Sequence, residues 1–130
     1  MKYAGKILLA DDEAHIRKYL SLIIRQLGKP TLIEAVNGQD ALSVFEREKP
    51  KVVLLDVNMP LLGGIETLKR LKAIDPDCIV IMLTSLANRE TVEQALENGA
   101  AGYIRKDTPK EEIASVLTEL IEAALEPRTP

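Results

Sequence analysis

The chain has 130 residues, with 17 Lys and Arg, 20 Asp and Glu, and a formal net charge of −3. That length suits one domain with a single core, and scattered cations with no basic tract argue against direct nucleic-acid binding by this chain. A lone cysteine excludes an internal disulfide and points to a reducing, cytoplasmic setting. The absence of any long apolar segment argues against a signal peptide or a membrane span.

Strand and helix patterns alternate five times along the chain. The apolar run Ile7-Leu8-Leu9-Ala10 predicts a first strand and ends in Asp11-Asp12. Ile16, Tyr19, Leu20, Ile23, Ile24 and Leu27 then recur at helical spacing until Gly28 and Pro30 stop the helix. Thr31-Leu32-Ile33-Glu34-Ala35 is a weaker strand. Asn37 is placed to cap a helix carrying Ala41, Leu42 and Phe45, which Pro50 closes. Val52-Val53-Leu54-Leu55 predicts a buried strand ending at Asp56. A loop with Pro60, Gly63 and Gly64 follows, and then a helix with Ile65, Leu68 and Leu71.

Cys78 precedes a fourth strand, Ile79-Val80-Ile81-Met82-Leu83, which ends in Thr84-Ser85. A helix from about Asn88 stops at Asn98-Gly99. Gly102-Tyr103-Ile104 is a short strand leading to Arg105-Lys106. Thr108-Pro109-Lys110-Glu111 predicts the last helix, with Thr108 as N-cap and Pro109 at the first helical position. Its apolar stripe includes Ile113, Leu117, Leu120 and Ile121. Residues 126–130 are too polar and proline-rich to pack, and read as a tail or the start of a linker after a 1–125 domain.

Strands that are apolar throughout are buried on both faces, so helices must cover both sides of the sheet. Repeated βα units give a parallel sheet with right-handed crossovers, and such sheets bind ligands beyond their carboxyl ends. Asp11, Asp12, Asp56, Thr84 and Lys106 all fall at those ends. Two carboxylates about 4 Å apart repel by about 4 kcal/mol at an effective dielectric near 20. One lysine leaves three acids undercompensated, and a hard dication such as Mg²⁺ complements them. The set is suited to phosphoryl transfer, with Asp56 as nucleophile and with Thr84 and Lys106 on the phosphoryl oxygens. An Asp at a strand-helix junction is often only a helix cap, and that competing reading is strongest for Asp11 or Asp12 taken alone.

Four pieces in order carry a family resemblance: Ile7-Leu8-Leu9-Ala10-Asp11-Asp12-Glu13; Val53-Leu54-Leu55-Asp56-Val57-Asn58-Met59-Pro60 with Gly64; Met82-Leu83-Thr84-Ser85; and Gly99 to Tyr103 with Lys106. From about Lys6 to Leu125 the chain resembles the receiver domain of two-component response regulators. The resemblance implies a flavodoxin-like α/β fold, with a doubly wound five-stranded parallel sheet of order 2-1-3-4-5 and five helices. It implies that Asp56 accepts phosphate from a sensor histidine kinase, or from a phosphotransfer protein in a phosphorelay. It also implies that Asp11, Asp12, Asp56 and the main-chain carbonyl of Asn58 hold Mg²⁺. Thr84 and Tyr103 are the implied switch pair. The face spanning 88–125 is the implied contact for an output domain or downstream protein, and a homodimer through the last two helices is left open.

The chain departs from the family pattern at Asp107 and, mildly, at Ser85, where alanine or another small residue is usual. Lys106 is followed by Asp107 rather than proline, so a trans bond is expected there. Leu86 is apolar and, with Asn58, is expected to flank the path of the attacking water. His15 is expected to be solvated, and Glu90, Glu93 and Glu97 to form a solvated helix face.

Rival functions fit less well. An aspartyl-phosphate phosphatase often carries a second Asp two residues after its nucleophile, where this chain has Asn58. A flavodoxin-type redox protein needs a Ser/Thr/Gly-rich loop after the first strand, where this chain has Asp-Asp-Glu-Ala. A receiver-like module that no longer takes phosphate would not need the full set of acids, Thr84 and Lys106.

Overall fold

A computed structural model describes residues 3–85 and 88–125. Leu86 and the 126–130 tail lie outside the described residues. The elements alternate in chain order: β1 (Lys6–Ala10), α1 (Ala14–Gln26), β2 (Thr31–Ala35), α2 (Gly38–Glu48), β3 (Val52–Asp56), α3 (Gly64–Ile74), β4 (Ile79–Thr84), α4 (Arg89–Glu97), β5 (Gly102–Arg105) and α5 (Lys110–Leu125). The strands form one sheet of order β2-β1-β3-β4-β5, and every neighbouring pair is parallel. The parallel sheet is what the buried strands predict, and its order is the flavodoxin-like one that the resemblance implies.

Side-chain alternation divides the core into two layers. Leu8, Val53, Leu55, Val80 and Met82 face Phe45, Leu68, Leu71 and Ala95 on α2, α3 and α4. Ile7, Leu9, Leu54, Ile81 and Leu83 face Leu20, Ile24, Ile113, Leu117 and Ile121 on α1 and α5. All residues of β3 and β4 are buried, as helices on both faces require. A fully buried Leu in such a layer contributes about 1.5–3 kcal/mol relative to leaving it exposed.

Local chemistry sets the helix ends. The Asn37 side chain accepts from Asp40 N at 2.8 Å and caps α2 as expected. Asn88 does the same for α4 through Thr91 N at 2.7 Å. Gly99 has φ +96° and ends the α4 turn, a backbone state that favours glycine. The first bonds of α5 run from Glu112 N and Ile113 N to Pro109 O. That carbonyl makes Pro109, rather than Thr108, the flanking residue, so the helix begins one position later than the Thr108 cap implies. No cis peptide bond occurs among the described residues, so Lys106-Asp107 is trans as expected.

Register positions the site. Ala10 pairs with Leu55, so Asp11 and Asp56 extend from adjacent strands at one level. Asp56 pairs with Leu83, and Thr84 pairs with Arg105. Thr84 and Lys106 therefore follow one step further along the same edge. Gly64 lets α3 start directly beneath this edge: a Cβ there would collide with Asp56 O and Val57 Cα.

Candidate phosphoacceptor and metal site

Asp11 and Asp56 are almost wholly buried, at 0% and 2% exposure, while Asp12 is exposed at the rim. One carboxylate oxygen from each of Asp11, Asp12 and Asp56 lies within 4.8 Å of the others. Asp11 Oδ1 accepts from Glu13 N at 2.8 Å. Asp56 Oδ1 accepts from Asn58 N at 3.2 Å. The backbone turns after β1 and β3 thus aim one oxygen of each acid and leave the other facing the site.

Lys106 supplies the local positive charge. Its Nζ lies 2.7 Å from Asp11 Oδ2, 3.2 Å from Asp56 Oδ2 and 3.3 Å from Glu13 Oε1, and only 7% of its side chain is exposed. The backbone holds it in place, because Lys106 N donates to Thr84 O at 2.9 Å. Burial alone would lower the Lys106 pKa. The carboxylates of Asp11 and Asp56 outweigh that effect and raise it. Asp56 behaves in the opposite sense. Burial and the nearby Asp11 charge push its carboxyl up to about 6, despite Lys106 and the Asn58 N–H.

The donor set fits a hard dication. Asp11 Oδ2 is buried yet has no aligned hydrogen-bond donor among the described residues, despite its short ionic contact with Lys106. A buried carboxylate oxygen left in that state is costly. Two further carboxylates within reach, one of them exposed, suit an ion that keeps several waters.

The sequence-predicted residues thus meet at one edge, with Thr84 buried at the end of β4. Tyr103 is 44% exposed. Behind Thr84 a cavity of about 10 Å³ is lined by Val57, Met82, Thr91, Val92, Ala95 and Tyr103. His15 is solvated, as expected, with 77% of its side chain exposed, and its Nε2 lies 3.4 Å from Glu13 Oε2.

Two participants were not singled out from sequence. Glu13 ion-pairs with Lys106 across the edge. Arg17 Nη1 donates to Asp11 O at 2.7 Å and Arg17 Nε pairs with Glu34 at 3.1 Å, bracing the β1–α1 loop. The third acid after Asp11-Asp12 was a signal for the first. A cation on the first turn of α1 was only a weak signal for the second.

Comparisons with known proteins agree with this geometry. The response regulator receiver domain family matches residues 7–118. The chain is 34% identical to sporulation initiation phosphotransferase F of Bacillus subtilis (strain 168), over 89% of this chain and 93% of that protein. It is 39% identical to the uncharacterized transcriptional regulatory protein YhcZ of the same organism, over 83% of this chain but only 51% of that protein. The BeF3-activated DrrB receiver domain superposes with a TM-score of 0.81 at 32% identity, covering 92% of this chain and 99% of that one. No helix among the described residues is long and apolar enough to cross a membrane. Five parallel strands in this order, the acids at their carboxyl edge and these matches lead to one conclusion: the chain belongs to the response regulator receiver domain family and is a domain of two-component signalling.

Proposed function

We propose that Asp56 accepts a phosphoryl group with Mg²⁺ present, and that the domain thereby switches a protein-binding surface. The observation that carries this reading is the placement of Asp56. It is buried between Asp11, whose Oδ2 lacks an aligned donor, and the Lys106 ammonium. In the transfer, a carboxylate oxygen of Asp56 forms a P–O bond as the P–N bond of a phosphohistidine breaks, and the released imidazole takes up a proton. Asp11, Asp12, Asp56 and the Asn58 carbonyl would hold the cation, which supplies charge neutralisation for the phosphoryl oxygens when bound. Lys106 pairs with one phosphoryl oxygen, and the Thr84 hydroxyl donates to another. The domain acts only on its own phosphorylation and autodephosphorylation and turns over no separate substrate.

The donor is a sensor histidine kinase or a phosphotransfer protein. The phosphotransferase name of one relative and the BeF3-activated form of another receiver support that reading. The switch is a population shift. Thr84 moves toward the phosphoryl group, and Tyr103 follows into the space behind it. The readout is α4–β5–α5, the 88–125 face, engaging an output domain or a downstream protein. Eight exposed carboxylates and three exposed cations on this stretch favour a basic partner over a second copy, where like charges would oppose each other. The transcriptional relative is about twice the length matched, so an attached DNA-binding output domain is one form that partner takes.

Intact-mass spectrometry after incubation with acetyl phosphate tests the acceptor. Wild type is expected to gain one phosphate with Mg²⁺ and none with EDTA, and Asp56→Asn to gain none. A gain of equal size in Asp56→Asn would remove Asp56 from the role.

A further inference from the structure

Lys106 has a third acidic partner whose position the transfer reaction alone does not explain. Its Nζ also donates to Glu13 Oε1, at 3.3 Å, across 93 residues of chain. The contacts to Asp11 and Asp56, at 2.7 and 3.2 Å, lie in the buried part of the site. An ammonium has three N–H donors, and three carboxylates already surround this one. As a donor phosphoryl group approaches, before Asp56 is esterified, its oxygen is a fourth claimant while all three carboxylates still hold the ammonium, so one contact must yield at that stage.

Glu13 is the contact that can yield. Its side chain is 42% exposed, against 0% for Asp11 and 3% for Asp56. Its backbone is fixed independently. Glu13 N donates to Asp11 Oδ1, and Glu13 O accepts from Ile16 N and Arg17 N at the start of α1. The carboxylate can therefore swing out without disturbing the loop that aims Asp11. Solvent and His15, 3.4 Å from its other oxygen, receive it.

We propose that Glu13 is a positioning residue that holds the Lys106 ammonium in the resting site and competes for it with the incoming phosphoryl group. This rests on Asp56 being the acceptor. Glu13 sets how readily the resting site yields its lysine, and so tunes the rate of phosphorylation without touching phosphorus. The chemistry at Asp56 is unchanged by it.

The test compares wild type with Glu13→Gln and Glu13→Ala at saturating Mg²⁺, following phosphorylation by acetyl phosphate by intact mass. A half-exposed ion pair contributes up to about 1 kcal/mol, so both variants should phosphorylate about two- to fivefold faster. The Lys106 signal separates lysine release from simple loss of negative charge. The Lys106 ammonium ¹⁵N signal, assigned by its loss in Lys106→Met, should shift in Glu13→Gln without added ligand. In wild type it should shift on adding beryllofluoride with Mg²⁺. Equal rates in all three proteins, or faster variants whose Lys106 signal does not shift, overturn the proposal while leaving Asp56 as acceptor. A wild type that takes up neither phosphate nor beryllofluoride overturns both readings together.

Discussion

Replacing Asp56 with asparagine should make the metal-free protein more stable at pH 8, although it removes the proposed acceptor. The carboxyl of Asp56 is pushed from an ordinary 3.8 up to about 6, first by burial and then by the charge of Asp11. Its folded-state value lies above its unfolded one. Its favourable contribution is therefore fully present below about pH 4 and is lost as pH rises through 6. At about 1.4 kcal/mol for each tenfold change in acidity, that rise corresponds to about 3 kcal/mol at pH 8. The introduced amide would mimic the protonated acid in shape and cannot carry the charge. Urea unfolding in EDTA should give Asp56→Asn an advantage on the order of 3 kcal/mol at pH 8, shrinking to little at pH 4. Adding Mg²⁺ should stabilise wild type more than the variant, because ligand binding to the folded state adds stability. A variant equal to or less stable than wild type at pH 8 in EDTA would refute the claim that the resting site is strained by uncompensated charge.

Three other outcomes follow from the same geometry. Lys106→Met leaves Asp11, Asp56 and Glu13 without their shared cation; at pH 8 in EDTA it should cost about 3–5 kcal/mol in urea unfolding, and titration calorimetry should show tighter Mg²⁺ binding. Gly64→Ala drives a Cβ into Asp56 O and Val57 Cα; it should lower stability by about 1–3 kcal/mol and slow acetyl phosphate uptake, whereas Gly63→Ala, with open space around it, should show no such clash. The cavity behind Thr84 holds about 10 Å³, room for about one water, so a phenol ring enters only if α4 yields. Beryllofluoride with Mg²⁺ should therefore shift the backbone NMR signals of Thr91, Val92 and Ala95 in wild type, and much less in Tyr103→Ala.

Much of this architecture was legible because apolar runs and polar stops carry the information. Val52 to Leu55 could be read as a strand buried on both faces, and the structure buries each of these residues. The same logic put Asp11, Asp56, Thr84 and Lys106 at strand ends, and parallel register brought them to one edge. Asn37 and Gly99 were readable because side-chain capping and left-handed backbone are local chemistry. Contacts set by tertiary geometry were not. Glu13 looked like a third acid in a row, and only the approach of β5 to the β1 loop makes it a partner of Lys106. The one-residue shift from Thr108 to Pro109 reflects helix ends that several bonding patterns satisfy almost equally. The resemblance implied Tyr103 as half of a switch pair, but its half-exposed position beside the small cavity it lines is set by tertiary packing.

The contact between Lys106 and the first acidic loop has a consequence for how the molecule is made. β1 lies near the middle of the sheet, whereas β5 is an edge strand that reaches it only through β4 and β3. The pair Glu13–Lys106 closes a loop of 93 residues, and the entropy of that closure must be met by the strands already docked. During synthesis the acids emerge early and stay without their lysine until the fifth strand is in place. A ribosome-bound chain that stops before Lys106 can gather its carboxylates but lacks the cation that pairs with them. The early acids thus meet their charged partner only once the last strand has docked.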